Sequence, residues 1–149
     1  MPSKYPPMTL IRESSVRGTE MLRPSTVTVY LVIPSRHIRF TDKFALEVTL
    51  DDQSVFEDVN PRIADVTGDG QNDIIVIESR TDQGASLAIY GIENDELKKI
   101  ASTPFIGTPN RWLAPIGTAD FNSDGVNDVA YVQTPHLASV LKIWSFKNK

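Results

Sequence analysis

The chain has 149 residues, 40% hydrophobic and 23% charged, which is the composition of one globular domain and excludes a disordered chain. It contains no cysteine, which excludes disulfides, thiolate metal sites and a cysteine nucleophile. The net charge of −4 comes largely from two acidic loops, so it gives no general reason to expect a nucleic-acid partner.

The first 41 residues are rich in proline and show little periodicity. We therefore expect a leader or a poorly ordered arm here, with at most one strand in the run TVTVYLVI. This run is too short to span a membrane as a helix, and it follows an unusually long polar segment for a secretory signal. We expect no membrane span and find no clear signal peptide.

From residue 42 onward the pattern is that of β structure. The runs DIIVIES, SLAIYGI, DVAYVQT and VLKIWSF are short and rich in β-branched and aromatic residues, and none has the length and period of a helix. The segments TVTVYLVI and HIRFTDKFALEVTLDD could supply strands that complete the first unit. The sequence therefore predicts an all-β, antiparallel fold.

Two stretches of the chain repeat each other. DVTGDGQND at 65–73 and DFNSDGVND at 120–128 align at an offset of 55 residues, and LAIY matches LKIW further on with one residue of slippage. We expect a domain at 42–149 made of two repeats, about 44–106 and 107–149. Each repeat is expected to hold three or four strands, with the acidic loop joining the first two.

Each nine-residue loop places oxygen-bearing groups at its odd positions, where calcium could be held by six to eight oxygen ligands. Gly70 and Gly125 at position six allow the left-handed backbone that wraps an ion. A helix-loop-helix calcium site is excluded because position twelve is Val76 or Tyr131 and not glutamate. The predicted ligands are Asp65, Thr67, Asp69, the carbonyl of Gln71 and Asp73 in one loop, and Asp120, Asn122, Asp124, the carbonyl of Val126 and Asp128 in the other.

The pattern D-x-[TN]-x-D-G-x-x-D before an apolar strand, found twice, resembles FG-GAP or VCBS-type repeats of integrin-like β-propellers and bacterial surface proteins. The resemblance implies propeller-type blades and about two calcium ions, one per loop. Thr67 departs from the asparagine or aspartate usual at position three, so we expect the first site to be the weaker. It also implies a non-catalytic scaffold or interaction surface for a protein or carbohydrate ligand, located at the cell surface, in the periplasm or outside the cell. Because propellers have about four to eight blades, we expect an incomplete propeller, a fragment, or an oligomer or additional chain that completes it.

Several alternatives remain at this point. The loops could be metal-free Asp-Gly turns in a structural fragment, or the blades could carry a polysaccharide hydrolase or lyase. The pair Arg111 and Trp112 suggests sugar or partner binding, but core packing of the indole is the commoner outcome. His37 and His136 have no triad partner, and Ser86 in GASLA lacks the helix of a nucleophile elbow. We therefore expect no catalytic residue.

Overall fold

The fold was analysed in a computed structural model, which describes residues 26–33, 42–57 and 61–147. The remainder of the predicted arm, with His37, lies outside the described residues. In the described ranges no helix is long and apolar enough to cross a membrane. These ranges hold ten strands: β1 (Thr26–Ile33), β2 (Asp42–Thr49), β3 (Ser54–Phe56), β4 (Arg62–Ala64), β5 (Asp73–Arg80), β6 (Gly84–Glu93), β7 (Glu96–Ser102), β8 (Leu113–Ala119), β9 (Asp128–Gln133) and β10 (Val140–Trp144).

The strands form three antiparallel sheets. The N-terminal sheet pairs β1 with β2. In the central sheet β3 and β4 both pair with β5, which is followed by β6 and β7. The C-terminal sheet has the order β8, β9, β10. The predicted all-β, antiparallel fold is thus confirmed, and the three described sheets do not close into a ring.

The central sheet has a hydrophobic core on each face, which explains why β5 is buried at six consecutive positions. On one face Ile75, Leu87 and Ile89 pack with Val129 and Phe146 of the C-terminal unit and its extension. The other face packs against β2 and the residue that follows it; that core comprises Phe56, Ile74, Val76, Ala88, Tyr90 and Leu97, with Leu46, Val48 and Leu50 against it. Successive sheets stack face to face, as consecutive propeller blades do.

The two N-terminal strands differ from the expectation that they would complete the first repeat unit. They pair with each other in a separate sheet, in a register that runs from Thr26 opposite Thr49 to Ile33 opposite Asp42. The physical reason is that β3 and β4 already occupy the free side of β5, and β7 borders β6 on the other side. The strand β2 therefore covers a face of the central sheet and does not extend it.

The central sheet contains a buried carboxylate with two donors. Glu78 is almost fully buried, and one of its oxygens accepts a hydrogen bond from the Tyr90 hydroxyl. Its other oxygen lies 2.5 Å from the Lys99 ammonium. Burial raises the pKa of Tyr90, and the hydrogen bond to Glu78 raises it further. A buried charge requires such partners, so this network fixes the relative position of three strands.

The C-terminal sheet leaves one apolar face open. Leu141 and Ile143 of β10 are 59% and 51% exposed, although their repeat equivalents Leu87 and Ile89 are both 0% exposed. The sheet has three strands in the part of the chain that the structure describes. The central sheet is therefore covered on both faces and the C-terminal sheet on one.

Candidate metal centre and neighbouring pocket

The two acidic loops occupy equivalent places in the fold, because each joins two consecutive, paired antiparallel strands of its unit. One runs from β4 to β5 and is closed by the pair Ala64 and Asp73, and the other runs from β8 to β9 and is closed by Ala119 and Asp128. This is the predicted strand-loop-strand arrangement. The glycines at position six adopt positive φ angles of 82° and 87°, as their sequence position predicted.

The first loop is folded by its own carboxylates. Asp65 accepts hydrogen bonds from the amides of Gly68 and Gly70, at 2.7 and 2.9 Å. Asp69 accepts one from the Gln71 amide at 2.8 Å. These short side chains satisfy backbone donors that would otherwise need water, as carboxylates do in turns. These hydrogen bonds therefore give the loop a defined shape.

Asp73 ends the first loop at the start of β5 and is almost completely buried. Its Oδ2 accepts hydrogen bonds from the amides of Val66 and Thr67, at 2.9 and 3.1 Å, and from the Thr67 hydroxyl at 3.1 Å. Burial raises the pKa of Asp73 to about 6, the negative charge of Asp69 adds to the rise, and the three hydrogen bonds oppose it. Hydrogen bonds thus hold the Asp73 carboxylate in place, although burial disfavours its ionised form.

The second loop repeats this bonding. Asp120 accepts from the amides of Asp124 and Gly125, at 3.0 and 2.9 Å, and Asn122 accepts from the Asp124 amide at 2.9 Å. Asp124 accepts from the Val126 amide at 3.0 Å, which lowers the pKa of Asp124.

A lysine after the last strand also contacts this loop. The Lys147 ammonium lies 3.3 Å from an Asp124 carboxylate oxygen and donates to the Asp124 carbonyl at 3.2 Å. The sequence reasoning did not identify this contact, because Lys147 lies 23 residues from the aspartate. The lysine places a positive charge beside a predicted calcium ligand.

Asp128 holds position nine of the second loop and has one carboxylate oxygen without a partner. The residue is 2% exposed, and its Oδ2 accepts a long hydrogen bond of 3.3 Å from the Phe121 amide. Its Oδ1 is buried and has no hydrogen-bond partner among the described residues. A buried carboxylate oxygen left without a donor is costly, so this atom is suited to a cation.

The donor types in the two loops fit calcium, since all ten predicted ligands offer oxygen. The geometry of the carboxylates is less complete. Within the described ranges no three histidine, aspartate or glutamate side chains are grouped so that they could hold a metal ion. The carboxylates instead accept hydrogen bonds from the loop amides. Calcium at these loops therefore remains a prediction, and its binding requires the side chains to exchange amide donors for the ion.

The structure brings the two loops into contact with each other. The Asn127 side-chain amide donates to the Asp65 carbonyl at 3.1 Å. Gly68 lies so close to Val126 that an added Cβ would be 2.8 Å from one of its methyl groups. The sequence signal for this contact was the asparagine shared at position eight of both loops. Its bridging role could not be read from one loop alone.

A pocket lies between the first strands of the central and C-terminal units. It has a volume of about 320 Å³ and is lined by Glu57, Arg62, Ile77, Trp112, Leu113, Ala114 and Pro115. The expectation that Trp112 packs in the core is wrong, since its side chain is 43% exposed. The backbone explains this position: the Arg111 carbonyl accepts from Ala85 at 2.8 Å and the Trp112 carbonyl from Thr134 at 3.0 Å.

Comparison with known proteins identifies the repeat. The FG-GAP-like repeat family matches residues 65–131, which contain both acidic loops and the strands from β5 to the middle of β9. Among curated proteins and solved structures, no significant match was found. The match agrees with the stacked antiparallel sheets and with the equivalent acidic loops between their paired strands. Residues 65–131 are therefore similar to an FG-GAP-like repeat, which supports a β-propeller-like repeat module.

Proposed function

We propose that the chain is a non-catalytic, calcium-binding repeat module that serves as a scaffold or interaction surface for a protein or carbohydrate ligand. The observation that carries the calcium proposal is the buried Oδ1 of Asp128, which has no hydrogen-bond partner among the described residues. A divalent cation supplies the missing positive partner at such an atom. It would also offset the repulsion among the three carboxylates of the same loop.

The second loop is proposed as the stronger site. Its position three is Asn122, whose side-chain oxygen can turn from the Asp124 amide to an ion. In the first loop the position-three hydroxyl of Thr67 donates to Asp73, which already satisfies that carboxylate in part. The ligands proposed for the second site are Asp120, Asn122, Asp124, Asp128 and the Val126 carbonyl. When bound, the ion neutralises charge and fixes the shape of the loop.

The contact between the loops gives calcium a role beyond its own loop. Asn127 of the second loop donates to the backbone of Asp65 in the first, across the junction of two sheets. An ion that orders one loop therefore also positions a donor for its neighbour. We propose that calcium stabilises the stacking of the two units, which is the structural task of a scaffold.

The proposal assigns no catalytic group to the loops, because carboxylates engaged by backbone donors or by calcium are poor proton carriers. It also locates the protein at the cell surface, in the periplasm or outside the cell, where calcium is plentiful enough for sites of moderate affinity. Steady release of reducing ends from a polysaccharide panel by the purified chain would contradict the non-catalytic assignment.

Thermal unfolding with and without calcium tests the proposal. Calcium at about 100 times its Kd should raise the free energy of unfolding by about 2.7 kcal/mol, since it binds only the folded loops. For a chain of this size the melting temperature should then rise by about 5–10 °C. Asp124→Ala should lose most of this shift, whereas Glu93→Gln, an exposed acidic position outside the loops, should keep it. An unchanged melting temperature for the native chain at millimolar calcium would overturn the proposal.

A further inference from the structure

The exposed indole of Trp112 is held in a fixed position. The Trp112 carbonyl accepts a hydrogen bond from the Thr134 amide at 3.0 Å, and the carbonyl of the preceding Arg111 accepts one from the Ala85 amide at 2.8 Å. Gly84 permits the close approach, since an added Cβ would be 2.5 Å from the Thr108 carbonyl. A large apolar group that is both exposed and held at two points is preorganised to contact a ligand.

A histidine supports the indole from outside the pocket. The rings of Trp112 and His136 are stacked, with centroids 5.8 Å apart and planes 4° from parallel. His136 lies in a turn closed by hydrogen bonds from the amides of Leu137 and Ser139 to the Thr134 carbonyl, at 2.9 and 3.1 Å. Because His136 does not line the pocket, it buttresses the indole and leaves the cavity to a ligand.

The pocket also holds one acidic and one basic side chain. The backbone of Glu57 donates to the Ile77 carbonyl at 3.0 Å, and its carboxylate accepts from the Ser79 hydroxyl. The Arg62 guanidinium donates to the Pro115 carbonyl at 3.4 Å. The remaining lining is mostly apolar. The pocket is open to solvent and combines these two charged side chains with apolar surface beside the indole.

We propose that this pocket binds one neutral pyranose ring, with the apolar face of the sugar against Trp112. A sugar hydroxyl both donates and accepts, so adjacent hydroxyls can donate to the carboxylate of Glu57 and accept from the guanidinium of Arg62. Glu57 would repel an anionic ligand and Arg62 would repel a cationic one, so a neutral polyol suits the pair best. This inference deepens the interaction role in the proposed function and rests on it for that role, but it involves none of the calcium ligands.

Tryptophan fluorescence and calorimetry can test the pocket. The probes are the methyl glycosides of glucose, galactose, mannose and N-acetylglucosamine and their short β-linked oligomers. In a Trp144→Phe background, which leaves Trp112 as the single tryptophan, at least one probe should change the emission saturably, with a Kd of about 1 mM. Glu57→Gln and Arg62→Gln should each weaken binding about fivefold, the loss expected for one hydrogen bond. Leu141→Ala, on the open face of the C-terminal sheet, should bind as the parent does.

Substitution of the indole decides the inference. Trp112→Ala should abolish binding as measured by calorimetry while the melting temperature remains close to that of the parent. If Trp112→Ala fails to fold, Trp112→Phe replaces it and should weaken binding severalfold. Absence of saturable binding for every probe, or full binding by the folded Trp112 variant, would overturn the inference. Calcium titration of the parent chain separates the two proposals, since calcium binding without saturable binding of any sugar probe rejects the pocket alone.

Discussion

Two leucines at equivalent positions of the repeat test whether one face of the central sheet is buried while the equivalent face of the C-terminal sheet is exposed. Leu87 in β6 and Leu141 in β10 match in the repeat, but the first is 0% exposed and the second 59% exposed. We predict that Leu87→Ala and Leu141→Ala have very different effects on the free energy of unfolding. The difference arises because a C-terminal sheet covers Leu87 and no described element covers Leu141.

The magnitude follows from burial. A fully buried leucine replaced by alanine costs about 2–5 kcal/mol, through lost transfer energy and the cavity that remains. Leu141 keeps about two fifths of its surface buried and leaves no enclosed cavity, so its substitution should cost about 1 kcal/mol or less. For a chain of this length, the melting temperature should fall by about 5–15 °C in Leu87→Ala and by less than about 4 °C in Leu141→Ala.

Urea denaturation followed by circular dichroism would measure both variants, with calcium held constant. The midpoint should fall strongly for Leu87→Ala and little for Leu141→Ala, with similar slopes for the two transitions. Equal costs would refute the reasoning. They would mean either that the open face is covered in solution or that the central core tolerates the cavity.

Three other substitutions or conditions give independent predictions. Gly107→Ala should lower the free energy of unfolding by roughly 1–2 kcal/mol, because the glycine has a positive φ angle. Gly84→Ala should lower it by clearly more, because an added Cβ would also meet backbone oxygens. Equal urea midpoints for the two variants would contradict this. Tyr90→Phe should cost about 1–3 kcal/mol because buried Glu78 loses a donor, and an unchanged urea midpoint would show that water replaces the hydroxyl. In calcium-stripped protein, the raised pKa of Asp73 contributes stability that is fully present below its ordinary pKa of 3.8 and is lost as the pH rises through about 6. Native protein should therefore lose stability relative to Asp73→Asn over that interval, as followed by thermal unfolding, and parallel pH curves would show that burial does not perturb this carboxyl.

The fold class and the loops were predictable because their signals are local. Short runs of β-branched and aromatic residues indicated strands. Glycine at position six of each loop predicted the left-handed backbone seen at Gly70 and Gly125. The repeat offset also identified equivalent strands, and the comparison with the FG-GAP-like family confirmed the repeat over 65–131. These features depend on residues that are close in sequence or repeated at a fixed distance.

The features that could not be predicted depend on contacts between distant segments. Trp112 was expected in the core on the basis of its residue type. Hydrogen bonds from the Ala85 amide to the neighbouring Arg111 carbonyl and from the Thr134 amide to the Trp112 carbonyl instead hold it at the surface. The bond from Asn127 to Asp65 spans 62 residues, so a single loop carries no sign of it. Glu57 likewise joins the pocket only through the stacking of two sheets. Such contacts are set by packing between units, which local periodicity does not encode.

Calorimetric titration of calcium into chelator-treated protein tests the central claim most directly, with Asp69→Ala and Asp124→Ala in parallel. The account predicts saturable binding of about two ions, with the tighter site removed by Asp124→Ala and the weaker one by Asp69→Ala. Absence of heat and of any stabilisation by calcium in the native chain would contradict it. The loops would then be turns held by their own carboxylates.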